Sequence, residues 1–493
     1  MHTFTTWIMA ALGGAVLATG PARGQSAADI PLRSLLPLDS SITAGRLANG
    51  LSYFIRVNHK PEKRAELRLV VNAGSVLEDD DQQGLAHLVE HMAFDGTRHF
   101  AKQELVNYLE SVGVRFGPDL NAYTGFDETV YILQVPTDTP SIVNKGFDIL
   151  EDWAHLITFD DGQIDREKNV VIEEWRLRRG ADARIRDKQF PVIFRGSRYA
   201  DRLPIGKVEV LRSFKHDALK RFYRDWYRPD LMAVVAVGDF DRNEIEGLIR
   251  KHFSGIPARG QERPRTLAPV PGNDSTLFTI ATDPEETRTT VSVHYKMPVE
   301  PDSLAGDYRR EVVEGLFSDM LNDRLSELAR KPDPPFLYAY GSHGRFVRTK
   351  DVFTLSASVK DGGVQRGLET VVTEAARVRK FGFTATELER AKKDALRGME
   401  EAYLERQKTE SAGLTDELVR HFLEGEPAPG IAFEYGLYQR FLPGITLEEV
   451  NRIASGWITR DNRVVAVSGP QASARSLPGE AELAHIIDGV DRS

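Results

Sequence analysis

The chain repeats itself, and a duplicated unit restricts its fold more than any single motif does. Ala65 to Ser75 (AELRLVVNAGS) has a counterpart at an offset of 223 in Arg288 to Pro298 (RTTVSVHYKMP), and both read as strands. Glu128 to Val135 (ETVYILQV) alternates in polarity and is matched at an offset of 224 by Val352 to Val359 (VFTLSASV). Phe159 to Trp175 lies over Phe383 to Met399 at the same offset of 224. Both read as helices with polar entries, Thr386 and Glu389 making a capping box in the second. Trp226 and Trp457, at an offset of 231, each precede an apolar strand, AVVAVGD and RVVAVSG. Four anchors at nearly one offset imply two copies of one unit: strand, long helix, strand, two helices and a later strand.

The expected fold is therefore α+β, two homologous α/β-sandwich domains of roughly 220 residues each, within the usual domain range. Residues 25–253 form the first domain and 275–480 the second, leaving 481–493 as a tail. Between them, Ser254 to Asp274 is dense in Pro and Gly and lacks apolar periodicity, as an interdomain linker does. The strands alternate in polarity instead of running fully apolar, which favours sheets with one helix-covered face over a doubly wound parallel sheet.

Composition narrows the chemistry. Apolar residues at 41% and charged residues at 28% suit a folded globular chain. A net charge of −9 repels phosphate backbones, which argues against nucleic acid as a partner. The absence of cysteine removes disulfides, thiolate nucleophiles and Cys-type zinc sites, so His, Asp and Glu are the remaining metal ligands. Trp7 to Thr19 (WIMAALGGAVLAT) is apolar but too short to span a bilayer. It reads as a signal peptide, residues 1–24, cleaved near Gly24, which implies a periplasmic or secreted protein with no membrane span.

In the first copy a helix carries His87-Leu88-Val89-Glu90-His91. His87 and His91 are one turn apart and share a face, so both imidazoles can bind one divalent ion, with Glu90 beside them. This is the inverted order His-x-x-Glu-His, in which two histidines bind Zn²⁺ and the glutamate handles the proton of the attacking water. A catalytic zinc needs a third protein ligand and an open position. The helix Ile164 to Arg179 offers Glu167, Glu173 and Glu174. Glu167 and Glu174 are two turns apart on one face, so one can bind the metal while the other supports it; Glu173 is displaced by about 100°. The basic run Arg176 to Arg186 reads as the solvated end of that helix.

At these residues the sequence resembles the pitrilysin family of zinc peptidases. The resemblance rests on Gly84 to Thr97 (GLAHLVEHMAFDGT), Asn121 to Tyr131 (NAYTGFDETVY) and Glu167 to Trp175 (EKNVVIEEW), and it extends over nearly the whole mature chain. It implies one Zn²⁺ per chain held by His87, His91 and Glu174, with Glu90 as general base and Glu167 as the supporting carboxylate. It further implies a peptide substrate that adds as a strand beside the segment containing Asn121, Ala122 and Tyr123.

The second copy is blank at these positions. Glu167 aligns with Ala391 and Glu174 with Gly398, and the helix facing HLVEH is EVVEGLFSDML, which has no histidine. Only the first copy is expected to bind metal. The family's closing half supplies an Arg and a Tyr seven apart for transition-state support; the matching Arg330 and Tyr338 are eight apart across a Pro-rich insertion. The chain thus resembles the amino-terminal half of the long fused bacterial members, half of a clamshell. A second subunit of the same fold is expected, a distinct chain in preference to a copy of itself. The function implied is a zinc endopeptidase acting on short or unfolded peptides. The alternatives are a catalytic subunit inactive without its partner, or a non-catalytic scaffold of the same fold.

Overall fold

The computed structural model describes residues 26–492 apart from 102–103, 179 and 259–262, so the segment read as a signal peptide lies outside the described residues. The duplication appears as two mixed sheets. The first holds β1 (Ile42–Arg46), β2 (Ser52–Val57), β3 (Arg64–Val71), β4 (Leu120–Thr124), β5 (Thr129–Pro136) and β6 (Met232–Gly238). The second holds β7 (Leu277–Asp283), β8 (Thr289–Met297), β9 (Tyr338–Val347), β10 (Lys350–Val359) and β11 (Arg463–Pro470). Their orders, β1-β2-β6-β3-β5-β4 and β7-β11-β8-β10-β9, correspond strand for strand once β1 is set aside. The β2–β6 and β7–β11 pairs are parallel and the others antiparallel, so the pairing is duplicated as well.

The first unit carries α1 (Leu85–Asp95), α2 (Glu104–Ser111), α3 (Pro140–His155), α4 (Asp161–Glu173), α5 (Ala181–Ile193), α6 (Val208–Ser213), α7 (His216–Trp226) and α8 (Arg242–Phe253). The second carries α9 (Ala305–Ala329), α10 (Val364–Phe381), α11 (Ala385–Glu405), α12 (Ser411–Glu424), α13 (Ile431–Phe441), α14 (Leu447–Trp457) and α15 (Glu480–Arg492). Among the described residues, no helix is long and apolar enough to cross a membrane.

Strand alternation sorts side chains between two faces. Leu67, Leu69 and Val71 of β3 join the first core with Phe147, Leu150 and Trp153 of α3. Val70 faces the other way and packs with Val235, Val237 and Phe54. That second face is covered by Leu418 and Val419 of α12, a helix of the other unit, so the first sheet is not limited to one helix-covered face. The second core gathers Val293, Phe353 and Leu355 under α10, α14 and α15.

The exchange is reciprocal. α5, from the first unit, lies against β7 of the second sheet. Arg184 Nε and Nη2 donate to the two carboxylate oxygens of Asp283 at 2.7 and 2.6 Å, and Nη2 also reaches Glu285 at 2.7 Å. Lys188 donates to the Thr282 carbonyl at 2.5 Å. The ammonium of buried Lys296 on β8 donates to Ile193 O at 3.0 Å, satisfying a carbonyl at the end of α5. The run Arg176 to Arg186 is therefore not one solvated helix end: the acidic helix stops, and a new helix docks Arg184 and Lys188 on the second unit.

Three local expectations shift. The capping box of α11 uses Thr384 and Glu387, not Thr386 and Glu389, because Gly382 closes α10 and leaves Thr384 as the first cap-competent residue. Within the stretch 481–493 read as a tail, residues 481–492 are not loose: they lie in α15, where Leu483 and Ile487 are fully or almost fully buried. Residues 263–274 of the connector pack along the first unit, with Ala268 and Val270 in its core and Arg265 paired to Asp127 at 3.2 Å.

Candidate active site

α1 buries Leu85, Leu88, Val89 and Met92 in the first core, and the helical period leaves His87, Glu90 and His91 on the opposite, cleft-facing side. Its N-terminus lacks a side-chain cap of its own. The buried Glu78 carboxylate supplies one from a distance, accepting from Gly84 N–H at 3.0 and 3.1 Å and from Ala86 N–H at 2.8 Å. Burial pushes Glu78 up to about 8 despite these bonds. Gly84 itself has φ +101 and sits so close to Gly206 that a Cβ on the latter would fall 2.2 Å from Gly84 Cα.

α4 brings the acids. Asp160 caps it, accepting from Gln163 N–H at 3.0 Å, and the helix widens after Glu173 into a π turn over Glu174–Arg178. Such turns interrupt an α-helix at functional sites. Glu174 Oε2 lies 3.4 Å from His91 Nε2 and 4.0 Å from His87 Nε2. Glu167 Oε2 lies 3.4 Å from His91 Nδ1. Glu173 points elsewhere, 3.7 Å from Arg176 and half exposed.

His87, His91 and Glu174 can each offer one ligand atom with all three atoms within 4.8 Å of one another. A tetrahedral cation with bonds of about 2.1 Å separates its ligands by roughly 3.4 Å, so small rotamer adjustments close this set around one ion. His87 Nδ1 is buried with no hydrogen-bond partner among the described residues, leaving a ring nitrogen for another group to use. Two imidazoles and one carboxylate are a donor set that zinc accepts.

The electrostatics favour a cation. Burial, then the neighbouring His91, holds His87 down at about 4, so its ring is neutral and able to ligate. Burial opposes protonation of His91 too, but the acceptors Glu167 and Glu174 outweigh it and raise the ring to about 9. Burial raises Glu90 to about 7, partly offset by Thr124, whose hydroxyl donates to Glu90 Oε2 at 2.6 Å.

Thr124 ends β4, the edge strand of the first sheet, which pairs with β5 on one side. The sequence singles out Asn121, Ala122 and Tyr123 for binding but gives no contact between Thr124 and Glu90; the place of Thr124 at the end of the same NAYT run is the available signal. Asn121 bonds locally to Gly117 O and Ala122 N–H, and Tyr123 is 45% exposed. These residues and the acidic set line one cleft of about 920 Å³ with Phe94, Phe116, Phe126 and Phe190. Arg330 and Tyr338 are not brought there. They sit at the end of α9 and the start of β9, on the second unit, and neither lines the cleft.

Comparison with known proteins fits this geometry. The family model described as Insulinase (Peptidase family M16) matches residues 53–183, and that described as Peptidase M16 inactive domain matches 213–394. A "Zinc protease PQQL-like" of Arabidopsis thaliana is 37% identical over 431 residues, 87% of this chain and 42% of that protein. The "Probable zinc protease PqqL" of Haemophilus influenzae is 31% identical over 445 residues, 88% of this chain and 47% of that protein. The chain thus spans about half the length of the curated relatives it matches. The crystal structure of the first half of the periplasmic protease PqqL from Escherichia coli superposes with a TM-score of 0.86 at 26% identity, covering 93% of this chain and 98% of that one.

Proposed function

The chain belongs to the M16 peptidase family, and from that premise we propose that it is the metal-bearing half of a zinc endopeptidase that cuts extended peptides. One observation carries the reading: the His87, His91 and Glu174 donors, Glu90 and its Thr124 partner converge beside the edge strand β4.

One Zn²⁺ would be held by His87, His91 and Glu174, and when bound it supplies Lewis acidity to water and to the scissile carbonyl. Glu90 takes the proton of the attacking water and returns it to the departing amine. Thr124 holds Glu90 Oε2, leaving Oε1 to face the water. Glu167 orients the His91 ring through Nδ1, the role that outer carboxylates play toward histidine ligands. The peptide lies along β4 beside Asn121, Ala122 and Tyr123, where backbone pairing gives affinity with loose sequence preference.

The cleft is open, and a second unit of the same fold, on the same polypeptide or on another chain, would close it and exclude water. Transition-state support then comes from that unit and not from Arg330 and Tyr338. The division at 25–253, 254–274 and 275–480 accompanies this reading, with the last helix counted in the second unit. The E. coli relative is described as periplasmic, and the apolar Trp7 to Thr19 segment supports the same compartment here.

The test is metal content and peptide cleavage together. The purified chain should carry about one zinc, and Glu90→Gln should keep it while cleavage of an unfolded peptide falls about 10²- to 10⁴-fold. Zinc near zero in the parent, or parental rates from Glu90→Gln, overturns the proposal. Zinc without cleavage, even when a companion half is supplied, would assign the chain to the scaffold role.

A further inference from the structure

The charged side chains that line the cleft are predominantly acidic. Glu90, Glu167 and Glu174 gather at one end, and Asp95 and Asp187 also line the space. Arg186, on α5, is the one Arg or Lys among the described residues that line it.

The placement of Arg186 follows from helix geometry. Gly180, Ala183, Asp187 and Phe190 recur every three or four residues and face the cleft, and the Phe190 ring lies 6.0 Å from Phe126, next to the end of β4. Arg184 and Lys188 are each two residues from Arg186, about 200° around the helix. They point to the opposite side, where Asp283, Glu285 and the Thr282 carbonyl accept from them. The docking face of α5 therefore has its cations matched. Arg186 is exposed on the cleft side and makes no ion pair or hydrogen bond among the described residues.

A guanidinium with no partner among the described residues, set where the other charged side chains except the histidines are acidic, is poised for an anion brought from outside, with fork geometry that suits a carboxylate. A peptide extended along β4 directs alternate side chains toward the facing wall, and α5 is part of that wall.

We propose that Arg186 is a specificity-determining residue that selects peptides presenting a carboxylate to α5, either on an acidic side chain or at the peptide C-terminus. The inference rests on the peptide-cleft reading above and names the substrate class of that site. The acidic neighbours repel negative peptides elsewhere in the cleft, so the preference is confined to the substrate position opposite Arg186.

The experiment measures binding, so it does not depend on turnover. Fluorescently labelled peptides bind the zinc-loaded Glu90→Gln protein, and anisotropy gives Kd while mass spectrometry checks that the peptides stay intact. The set scans one Glu or its isostere Gln through a neutral extended sequence, each with a free or an amidated C-terminus. One position should prefer Glu to Gln, or free carboxylate to amide, by about five- to tenfold at low salt. Arg186→Ala should remove that preference, and Arg186→Glu should reverse it in favour of Lys at the same position. Because Arg186 is exposed, both variants should keep the parental circular dichroism spectrum.

A Glu effect marks the side chain as the carboxylate source, and an effect of amidation marks the C-terminus. Binding with no charge preference, or a preference that survives Arg186→Glu, overturns this inference and leaves the peptidase reading standing. Failure of every peptide to bind overturns the peptide cleft and this inference with it.

Discussion

Replacing Arg184 with Ala tests whether the clasp between the two units contributes to the fold as its geometry requires. Asp283 is almost fully buried, 2% exposed at its side chain, and its oxygens accept from Arg184 at 2.6 and 2.7 Å. The Arg184 guanidinium, helped by the Glu285 N–H, holds the Asp283 carboxyl down at about 2 against burial, from an ordinary 3.8. At about 1.4 kcal/mol per pKa unit, that difference favours the folded, ionised form by about 2 kcal/mol. Removing one partner of a buried pair costs about 3–5 kcal/mol, and the 30% exposure of Arg184 lets water offset part of this, so Arg184→Ala should lose about 2–3 kcal/mol at pH 7. The sign follows from the depressed pKa: the stabilisation is fully present above the unfolded value near 4 and is lost as pH falls toward 2. Urea titrations followed by tryptophan fluorescence should show a constant gap between parent and variant from pH 7 to pH 5, and a narrower gap at pH 3. Asp283→Asn should behave alike, and the double variant should cost less than the sum. A gap below about 0.5 kcal/mol at pH 7, or an equal gap at pH 3, refutes the reasoning.

Glu167→Gln should weaken zinc retention about 10- to 100-fold in a chelator competition, with a milder loss of cleavage than Glu90→Gln, because the His91 ring loses its orienting carboxylate. Glu78→Ala removes an acceptor shared by two N–H groups at the start of α1, and should lower stability by about 1–3 kcal/mol and weaken zinc binding although Glu78 touches no ligand. Leu418→Ala, in the packing between α12 and the first sheet, should cost about 2–5 kcal/mol in urea unfolding while leaving zinc stoichiometry at one.

The shared face of His87, Glu90 and His91 was readable because its pattern is local: one turn separates His87 from His91, and Leu88, Val89 and Met92 mark the buried side. The strand pairing was readable through repetition, since two copies at one offset report the same topology. Periodicity alone could not choose between Glu167 and Glu174, because both occupy one helical face; their distances from the two imidazoles separate them in space. The docking of α5 was not readable, since Asp283 is 99 residues from Arg184 and an exposed basic helix looks the same in sequence. The cover over the first sheet was hidden for the same reason: Leu418 meets Val70 from the opposite unit of the chain, and an amphipathic helix does not name the face it will meet.

The crossing of α12 onto the first sheet imposes a timetable on synthesis. α8 ends at Phe253, and α12 starts only at Ser411. At about 5–20 residues per second, synthesis of the intervening stretch takes roughly 8 to 30 seconds. That delay separates completion of the first unit's strands and helices from arrival of the helix that shields Val70, Val235 and Val237. Throughout it the nascent first unit carries an uncovered apolar sheet face, the kind of surface that chaperones hold and that neighbouring chains aggregate through. A chain released before Ser411 would expose that face permanently, whatever the condition of the His87, His91 and Glu174 cluster.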